Sequence, residues 1–194
     1  TPGIGKSFAS ANFATVLAAA GKRVLLIDAD MRKGHMHKLF GQSRGAGLSE
    51  LIAGGQTLGQ VLRQNAAPGL DFITTGTLPP NPAELLMSPI TVDLLQSLSA
   101  QYDIVIIDTS PVLAVSDSAV LAPQAGAVFL LARAEVTTLA EIKESVKRLE
   151  QSGASPRGVI FNGLDLSRRA YGYGYKYGNY RYQYQAYDYN KTAG

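Results

Sequence analysis

Short apolar runs alternate with longer amphipathic segments along this chain. Runs with this pattern are typical of strands buried on both faces of a parallel sheet. The predicted strands are 24–27, 70–75, 103–108, 127–132 and 158–161. The predicted helices are 7–20, 82–101 (broken at Pro89) and 138–151. Strands that alternate with helices predict an α/β fold, with a mostly parallel β-sheet and helices on both faces.

The composition changes abruptly after about Ser167. Nine of the ten tyrosines lie at 171–189, interleaved with Gly, Asn, Gln and Lys. This segment has almost no aliphatic residues and therefore cannot bury a core of its own. We predict a folded domain at 1–166 and a flexible, tyrosine-rich C-terminal tail at 167–194.

Composition limits the possible functions. The chain has no cysteine, which removes disulfides, thiolate metal sites and cysteine catalysis. A formal net charge of +3 is small for 194 residues, so we predict no nucleic-acid partner. No apolar run reaches the roughly 18–20 residues that span a bilayer, and no signal peptide is recognisable.

Residues 3–7 read Gly-Ile-Gly-Lys-Ser and match the last part of the phosphate-loop motif G-x-x-x-x-G-K-[ST]. Glycines let backbone N–H groups close around phosphate oxygens, Lys6 reaches the outer phosphates, and the Ser7 hydroxyl can bind Mg²⁺. A phosphate loop normally follows a buried strand. We therefore expect that strand, and the true N-terminus, upstream of Thr1.

Aspartates stand at the carboxyl ends of two predicted strands. Asp108 ends an Ile-Val-Ile-Ile run, as expected of a Walker B carboxylate that holds magnesium. Asp28 and Asp30 are two residues apart, and on a strand they would point the same way, which is costly unless a cation or proton lies between them. The alternative is that both cap the following turn. Arg32 and Lys33 either pair with them or face solvent.

Taken together, the motifs resemble those of the bacterial tyrosine kinases that control capsule and exopolysaccharide export. Residues 24–34 resemble the Walker A′ motif, and residues 79–86 (Pro-Pro-Asn-Pro-Ala-Glu-Leu-Leu) resemble a segment typical of the family. Residues 106–111, followed by Ser116 and Asp117, resemble the Walker B region. With the tyrosine-rich tail, the resemblance covers essentially the whole chain.

The resemblance implies a P-loop kinase that uses ATP and Mg²⁺. The implied catalytic residues are Lys6, Asp28, Asp30 and Asp108. Asp28 would accept the proton of the incoming tyrosine. The implied magnesium ligands are Ser7, Asp30 and Asp108. The implied nucleotide contacts are Gly3, Ile4, Gly5, Lys6, Ser7, Phe8 and Asn162. Asn162 matches a position near the adenine in related ATPases, but it suits a turn equally well.

The resemblance also implies a physiological setting. The chain would phosphorylate its own tail in trans, within a ring-like homo-oligomer that is sensitive to phosphorylation. The implied acceptors are Tyr171, Tyr173, Tyr175, Tyr177, Tyr180, Tyr182, Tyr184, Tyr187 and Tyr189. The protein would work at the cytoplasmic face of the bacterial inner membrane, with a membrane-embedded polysaccharide co-polymerase segment and a cognate tyrosine phosphatase as partners.

One position departs from the family pattern. Many members carry a tyrosine after the Walker A′ motif, and its phosphorylation is linked to activation. This chain has His35 there, which we interpret as an exposed turn residue.

Two other function classes remain open at this point. A MinD/ParA-like ATPase switch would share both acidic strand ends. However, such proteins usually carry a lysine where this chain has Thr1, and they lack a tyrosine-rich tail. An inactive scaffold would use the tail alone, for example to stack its tyrosines on RNA bases.

Overall fold

The strands and helices are defined over residues 3–164, the part of the chain that the computed structural model describes. The strands are β1 (Val24–Asp28), β2 (Arg63–Ala67), β3 (Leu70–Ile73), β4 (Ile104–Asp108), β5 (Phe129–Arg133) and β6 (Gly158–Asn162). The helices are α1 (Lys6–Ala19), α2 (Leu48–Ile52), α3 (Leu58–Val61), α4 (Pro82–Met87), α5 (Pro89–Gln101), α6 (Asp117–Leu121) and α7 (Leu139–Gln151). Short 3₁₀ helices span Met36–Phe40 and Ala122–Gln124. The predicted tail and all nine of its tyrosines lie outside the described residues.

The strands form a four-stranded sheet in the order β2-β3-β1-β4 and a two-stranded sheet of β5 and β6. β1 pairs in parallel with both β3 and β4, and β5 pairs in parallel with β6. Only the β2–β3 hairpin is antiparallel among the described strands. The register of β1 and β4 places Asp28 directly opposite Asp108. The predicted α/β fold with a mostly parallel sheet is confirmed.

Helices cover both faces of the four-stranded sheet, as predicted. Side chains alternate along β1, so Val24 and Leu26 pack in a cluster with the alanines of α1. Leu25 and Ile27 point to the opposite face and pack in a cluster with Leu98 of α5. All four apolar side chains of β1 are fully buried, which explains the uninterrupted apolar run in the sequence. No helix within residues 3–164 is long and apolar enough to cross a membrane.

The predicted burial of β4 and β6 is only partly correct. Residues 104–107 of β4 are half-buried, and Ile160 and Phe161 of β6 are 47% and 55% exposed. β4 and β5 do not pair with each other, and a cavity of about 540 Å³ lies against both of them and against α1. The strand that we expect upstream of Thr1 remains a prediction.

Glu50 ties α2 to the turn that follows β3. Its carboxylate accepts N–H groups of Gly47 at 2.8 Å and Thr77 at 2.9 Å, and the Ser49 hydroxyl at 3.0 Å. Burial acts to raise the pKa of Glu50, but the hydrogen bonds from Thr77 and Gly47 outweigh it and lower that pKa to about 2. The charged form of Glu50 therefore stabilises the fold.

Replacing Glu50 by Gln is expected to lower the free energy of unfolding at pH 7 by about 1.5–3 kcal/mol, the usual range for hydrogen bonds to a charged group. Because the pKa is depressed in the fold, this stabilisation is present above the unfolded pKa of about 4.5 and lost as pH falls toward 2. Urea denaturation at pH 7 and pH 3.5 measures both effects. Glu84→Gln, at an exposed position in the first turn of α4, is the control. An equal loss at both pH values would contradict the prediction.

Candidate active site

The candidate site lies at the carboxyl ends of β1 and β4, where the phosphate loop leads into α1. Gly3 and Gly5 have φ angles of +77° and +92°, which L side chains rarely adopt. Gly5 is the residue before the first turn of α1, so the positive end of that helix faces the loop. A Cβ on Gly5 would also lie 2.6 Å from Nδ2 of Asn162, so glycine is needed there on two counts.

Residues of β5 and β6 support the phosphate loop from its other side. Nδ2 of Asn162, the last residue of β6, donates to the carbonyl oxygen of Ile4 at 2.9 Å. Its Oδ1 accepts the N–H of Gly163 at 2.8 Å. Arg133 reaches the carbonyl of Gly3 at 3.3 Å. The described contacts of Asn162 are therefore with the loop and its own turn, and its predicted contact with adenine remains a proposal.

The carboxylate of Asp108 accepts hydrogen bonds from three side chains at the start of α1. Nζ of Lys6 lies 2.8 Å from Oδ1, and the Ser7 hydroxyl donates to Oδ2 at 2.6 Å. The Ser10 hydroxyl donates to Oδ1 at 3.1 Å. Asp108 is 1% exposed, whereas the Lys6 side chain is 26% exposed and accessible to an incoming anion. Three of the predicted site residues, Lys6, Ser7 and Asp108, are thus in direct contact.

Asp28 is a buried carboxylate next to Asp108. Its Oδ1 accepts the N–H of Asp30 at 3.2 Å, and its Oδ2 accepts the N–H of Met36 at 3.0 Å. Burial raises the pKa of Asp28 and the negative charge of Asp108 adds to the rise, while the two backbone hydrogen bonds act against it. Asp28 is therefore a stronger base than an exposed aspartate.

Asp30 lies beyond the end of β1, not on the strand. The expectation that Asp28 and Asp30 point the same way on one strand is therefore wrong, because β1 ends at Asp28. Oδ1 of Asp30 accepts the N–H groups of Arg32 at 3.2 Å and Lys33 at 3.0 Å, which closes a turn. Within residues 3–164, Oδ2 of Asp30 has no hydrogen-bond partner.

The donor set fits a magnesium ion bound together with a phosphate ligand. No group of three or more Asp, Glu or His side chains among residues 3–164 could hold a metal ion unaided. Mg²⁺ usually binds one or two carboxylates together with substrate phosphates and water. The adjacent hydroxyl of Ser7 and carboxylate of Asp108 match that preference, and the unpaired Oδ2 of Asp30 offers another oxygen.

Ile4 and Phe8, two of the predicted nucleotide contacts, differ in their exposure to solvent. Ile4 is buried within the loop, whereas the Phe8 side chain on α1 is 62% exposed. The predicted exposure of His35 is confirmed, and its Nδ1 lies 2.9 Å from the Lys33 carbonyl oxygen.

Comparisons with known proteins decide the family. A family model described as an AAA domain matches residues 2–152. The EpsB protein of Ralstonia nicotianae is 54% identical over 172 residues, which cover 89% of this chain and 23% of EpsB. The structure of the kinase domain of the Escherichia coli tyrosine kinase ETK is 44% identical. It has a TM-score of 0.84 over 91% of this chain and 69% of that one. This chain belongs to the bacterial tyrosine-kinase family.

The kinase family membership confirms the resemblance read from the motifs, including the P-loop fold and its nucleotide-binding loop. The tyrosine-protein kinase Wzc of Salmonella typhimurium is a further relative, 45% identical over 89% of this chain and 24% of its own length. The chain thus spans about a quarter of the length of these relatives. MinD of Pyrococcus horikoshii, solved with Mg-ADP, shares the fold at 19% identity and a TM-score of 0.68.

The structure also contains polar contacts whose partners the sequence left undefined. Ser10 joins Asp108 because it lies one helical turn after Ser7, a spacing that i,i+3 reasoning on α1 would have found. The side chain of Arg32 pairs with neither Asp28 nor Asp30 but with Asp117, 85 residues away in sequence. No local pattern marks that pair.

Proposed function

We propose that this chain is the catalytic domain of an ATP-dependent protein-tyrosine autokinase whose acceptors are the tyrosines of its own C-terminal tail. The observation that supports this most directly is the cluster of Lys6, Ser7 and Asp108 at the start of α1, with Asp28 beside Asp108. A cation, a hydroxyl and carboxylates at a phosphate loop are the groups that phosphoryl transfer requires, since it depends mainly on positioning and charge stabilisation.

In the proposed reaction, the loop N–H groups and Lys6 bind the ATP phosphates. Lys6 leaves Asp108 for the incoming phosphate oxygens, and its exposed fraction of 26% makes it available. Ser7, Asp30 and Asp108 would hold Mg²⁺, which when bound supplies positive charge that offsets the charge of the phosphates. The tyrosine oxygen forms a bond to the γ-phosphorus while the bond to the ADP oxygen breaks, and Asp28 takes the phenolic proton.

Asp28 is suited to that role by its environment. A tyrosine phenol has a pKa near 10, so an aspartate with a raised pKa is a better-matched base than an ordinary one. Each Asp28 oxygen accepts one backbone N–H, which fixes the carboxylate and leaves lone pairs for a substrate proton.

Replacing Asp28 by Asn is expected to lower phosphotyrosine formation about 10²-fold or more, the usual contribution of general base catalysis, with nucleotide binding retained. For the unmodified kinase, activity should rise with pH through the raised pKa of Asp28, because the base must be deprotonated. The Asn variant should lose that acid limb. Rates of autophosphorylation between pH 5 and 9, with binding of a fluorescent ATP analogue as the folding control, measure both. If the rate of the variant still fell at low pH as the wild-type rate does, a group other than Asp28 would accept the proton.

The same proposal extends to the setting of the kinase. A tail with many tyrosines raises the local concentration of acceptors in an oligomer. Phosphorylation adds negative charge that would repel neighbouring tails and loosen a ring. We propose a ring-like homo-oligomer at the cytoplasmic face of the inner membrane that regulates capsule or exopolysaccharide export. Its partners would be a membrane polysaccharide co-polymerase segment and a cognate phosphatase.

A single-turnover reaction of the full-length protein with Mg-ATP separates this function from an ATPase switch and from an inactive scaffold. The autokinase predicts phosphotyrosine in step with the ADP released. ADP without phosphotyrosine would indicate a MinD-like ATPase, and the absence of both products would indicate a scaffold.

A further inference from the structure

An ionic contact between the buried Asp117 and the partly exposed Arg32 lies next to Asp30 and has no part in the proposed reaction. Asp117, the first residue of α6, is 0% exposed. Nε and Nη2 of Arg32 donate to its two carboxylate oxygens at 2.8 and 3.0 Å. A buried carboxylate is costly without a partner, and the planar guanidinium of arginine satisfies both of its oxygens at once.

Ser110 holds Asp30 from a second side and lies next to Asp117. Its hydroxyl donates to Oδ1 of Asp30 at 2.8 Å and lies 3.4 Å from Oδ2 of Asp117. A hydroxyl carries one proton, so the shorter contact with Asp30 is the hydrogen bond. Oδ1 of Asp30 also accepts the N–H of Arg32, whose side chain Asp117 holds.

Two contacts therefore hold the same oxygen of Asp30. One is the side chain of Ser110, and the other is the backbone N–H of Arg32, which is the contact that Asp117 supports through the Arg32 side chain. Because Oδ1 is held by these donors and by Lys33 N–H, the carboxylate has one fixed orientation, with Oδ2 left for another ligand.

We propose that Asp117 is a positioning residue for this site: by holding the side chain of Arg32 it fixes the turn that carries Asp30, whose Oδ2 would then be free to bind Mg²⁺ together with the nucleotide. This inference rests on the proposed function, which makes Asp30 a magnesium ligand. It assigns a role to the Asp117 of the Walker B region that the motif alone did not supply.

The test compares Asp117→Asn, Arg32→Lys and Ser110→Ala in the full-length protein. Asp117→Asn keeps the shape of the side chain and removes its charge. Arg32→Lys keeps the charge and removes the two-pronged contact. Asp103→Asn is the matched control, because it breaks an Arg–Asp pair of the same 2.8 Å length that is exposed at the opposite end of β4. Binding of a fluorescent ATP analogue is measured against Mg²⁺ concentration, together with the melting temperature.

We expect the three variants to need about 3–10-fold more Mg²⁺ for half-maximal binding, the effect of losing one or two oriented hydrogen bonds. The control should stay within about twofold of the wild type. Lower melting temperatures with an unchanged Mg²⁺ requirement would show that the network only stabilises the fold, and would overturn the inference.

The outcomes remain distinguishable if one variant does not fold. Should Asp117→Asn fail to fold, Arg32→Lys carries the test, because the Arg32 side chain is 42% exposed and its replacement retains the charge. If the wild type itself shows no Mg²⁺-dependent nucleotide binding, the proposed function is wrong and the inference falls with it. Wild-type binding with unaffected variants would overturn the inference alone.

Discussion

Replacing Lys6 by Met lowers autophosphorylation about 10²–10³-fold in our account, the range found when one preorganised electrostatic donor is removed from a transition state. Met has a similar length and no charge, so the change tests the ammonium group itself. In the described structure this group has a single ionic partner, Asp108 at 2.8 Å, and it lies at the first residue of α1 beside the loop glycines. Initial rates of phosphotyrosine formation at saturating Mg-ATP measure the effect.

Lys22→Met is the matched control for this change. Lys22 follows the end of α1, at the opposite end of the helix from the phosphate loop, and it is exposed. It should leave the rate within about twofold, because a charge that far away is screened by solvent. A Lys6→Met protein that retains wild-type rates would contradict the assignment of Lys6 to the phosphates.

Replacing Asp108 by Asn is the second change with a large expected effect. The variant removes the negative charge of the carboxylate that accepts hydrogen bonds from the side chains of Lys6, Ser7 and Ser10. An amide is also a poorer magnesium ligand than a carboxylate. The charge of Asp108 also contributes to the raised pKa of Asp28, so its removal should lower that pKa and weaken the base. We expect activity to fall about 10²-fold or more. The rate, the Mg²⁺ requirement and the pH profile are the measurements.

Asp103→Asn is the control for Asp108→Asn, at the opposite end of β4. Asp103 immediately precedes β4 and makes an exposed pair with Arg23, so its loss should cost little in rate or stability. If Asp108→Asn kept the wild-type rate and Mg²⁺ requirement, the carboxylate would be structural, and the magnesium site would have to be sought elsewhere.

The contact between Lys6, Ser7 and Asp108 could be predicted from the sequence because short-range patterns mark each of these residues. Lys6 and Ser7 stand next to each other in a motif, and Asp108 ends an apolar strand. Parallel pairing of β1 and β4 then brings the strand-end carboxylates together, which a strand-by-strand interpretation anticipates. The roles of the individual residues remain predictions.

The features that the sequence did not reveal depend on long-range packing. β2 reads Arg-Gln-Asn-Ala-Ala and has no apolar alternation, because it lies at the edge of the sheet and forms only the hairpin with β3. The Arg32–Asp117 pair joins segments that are far apart in sequence, so no periodicity reports it. The partial exposure of β6 also has no sequence signal, since burial depends on which strands surround it.

The prediction that the tail tyrosines are the phosphate acceptors rests on the sequence alone, and the proposed function depends on it. The most direct test maps phosphotyrosine by mass spectrometry after the full-length protein has reacted with Mg-ATP, beside Lys6→Met and a truncation after Ser167. We predict phosphate on tyrosines of 171–189, about 10²–10³-fold less of it in Lys6→Met at equal reaction time, and none on the truncated protein, which should still phosphorylate an added tail peptide. ADP release without phosphotyrosine, or phosphotyrosine at the wild-type level in Lys6→Met, would contradict the account.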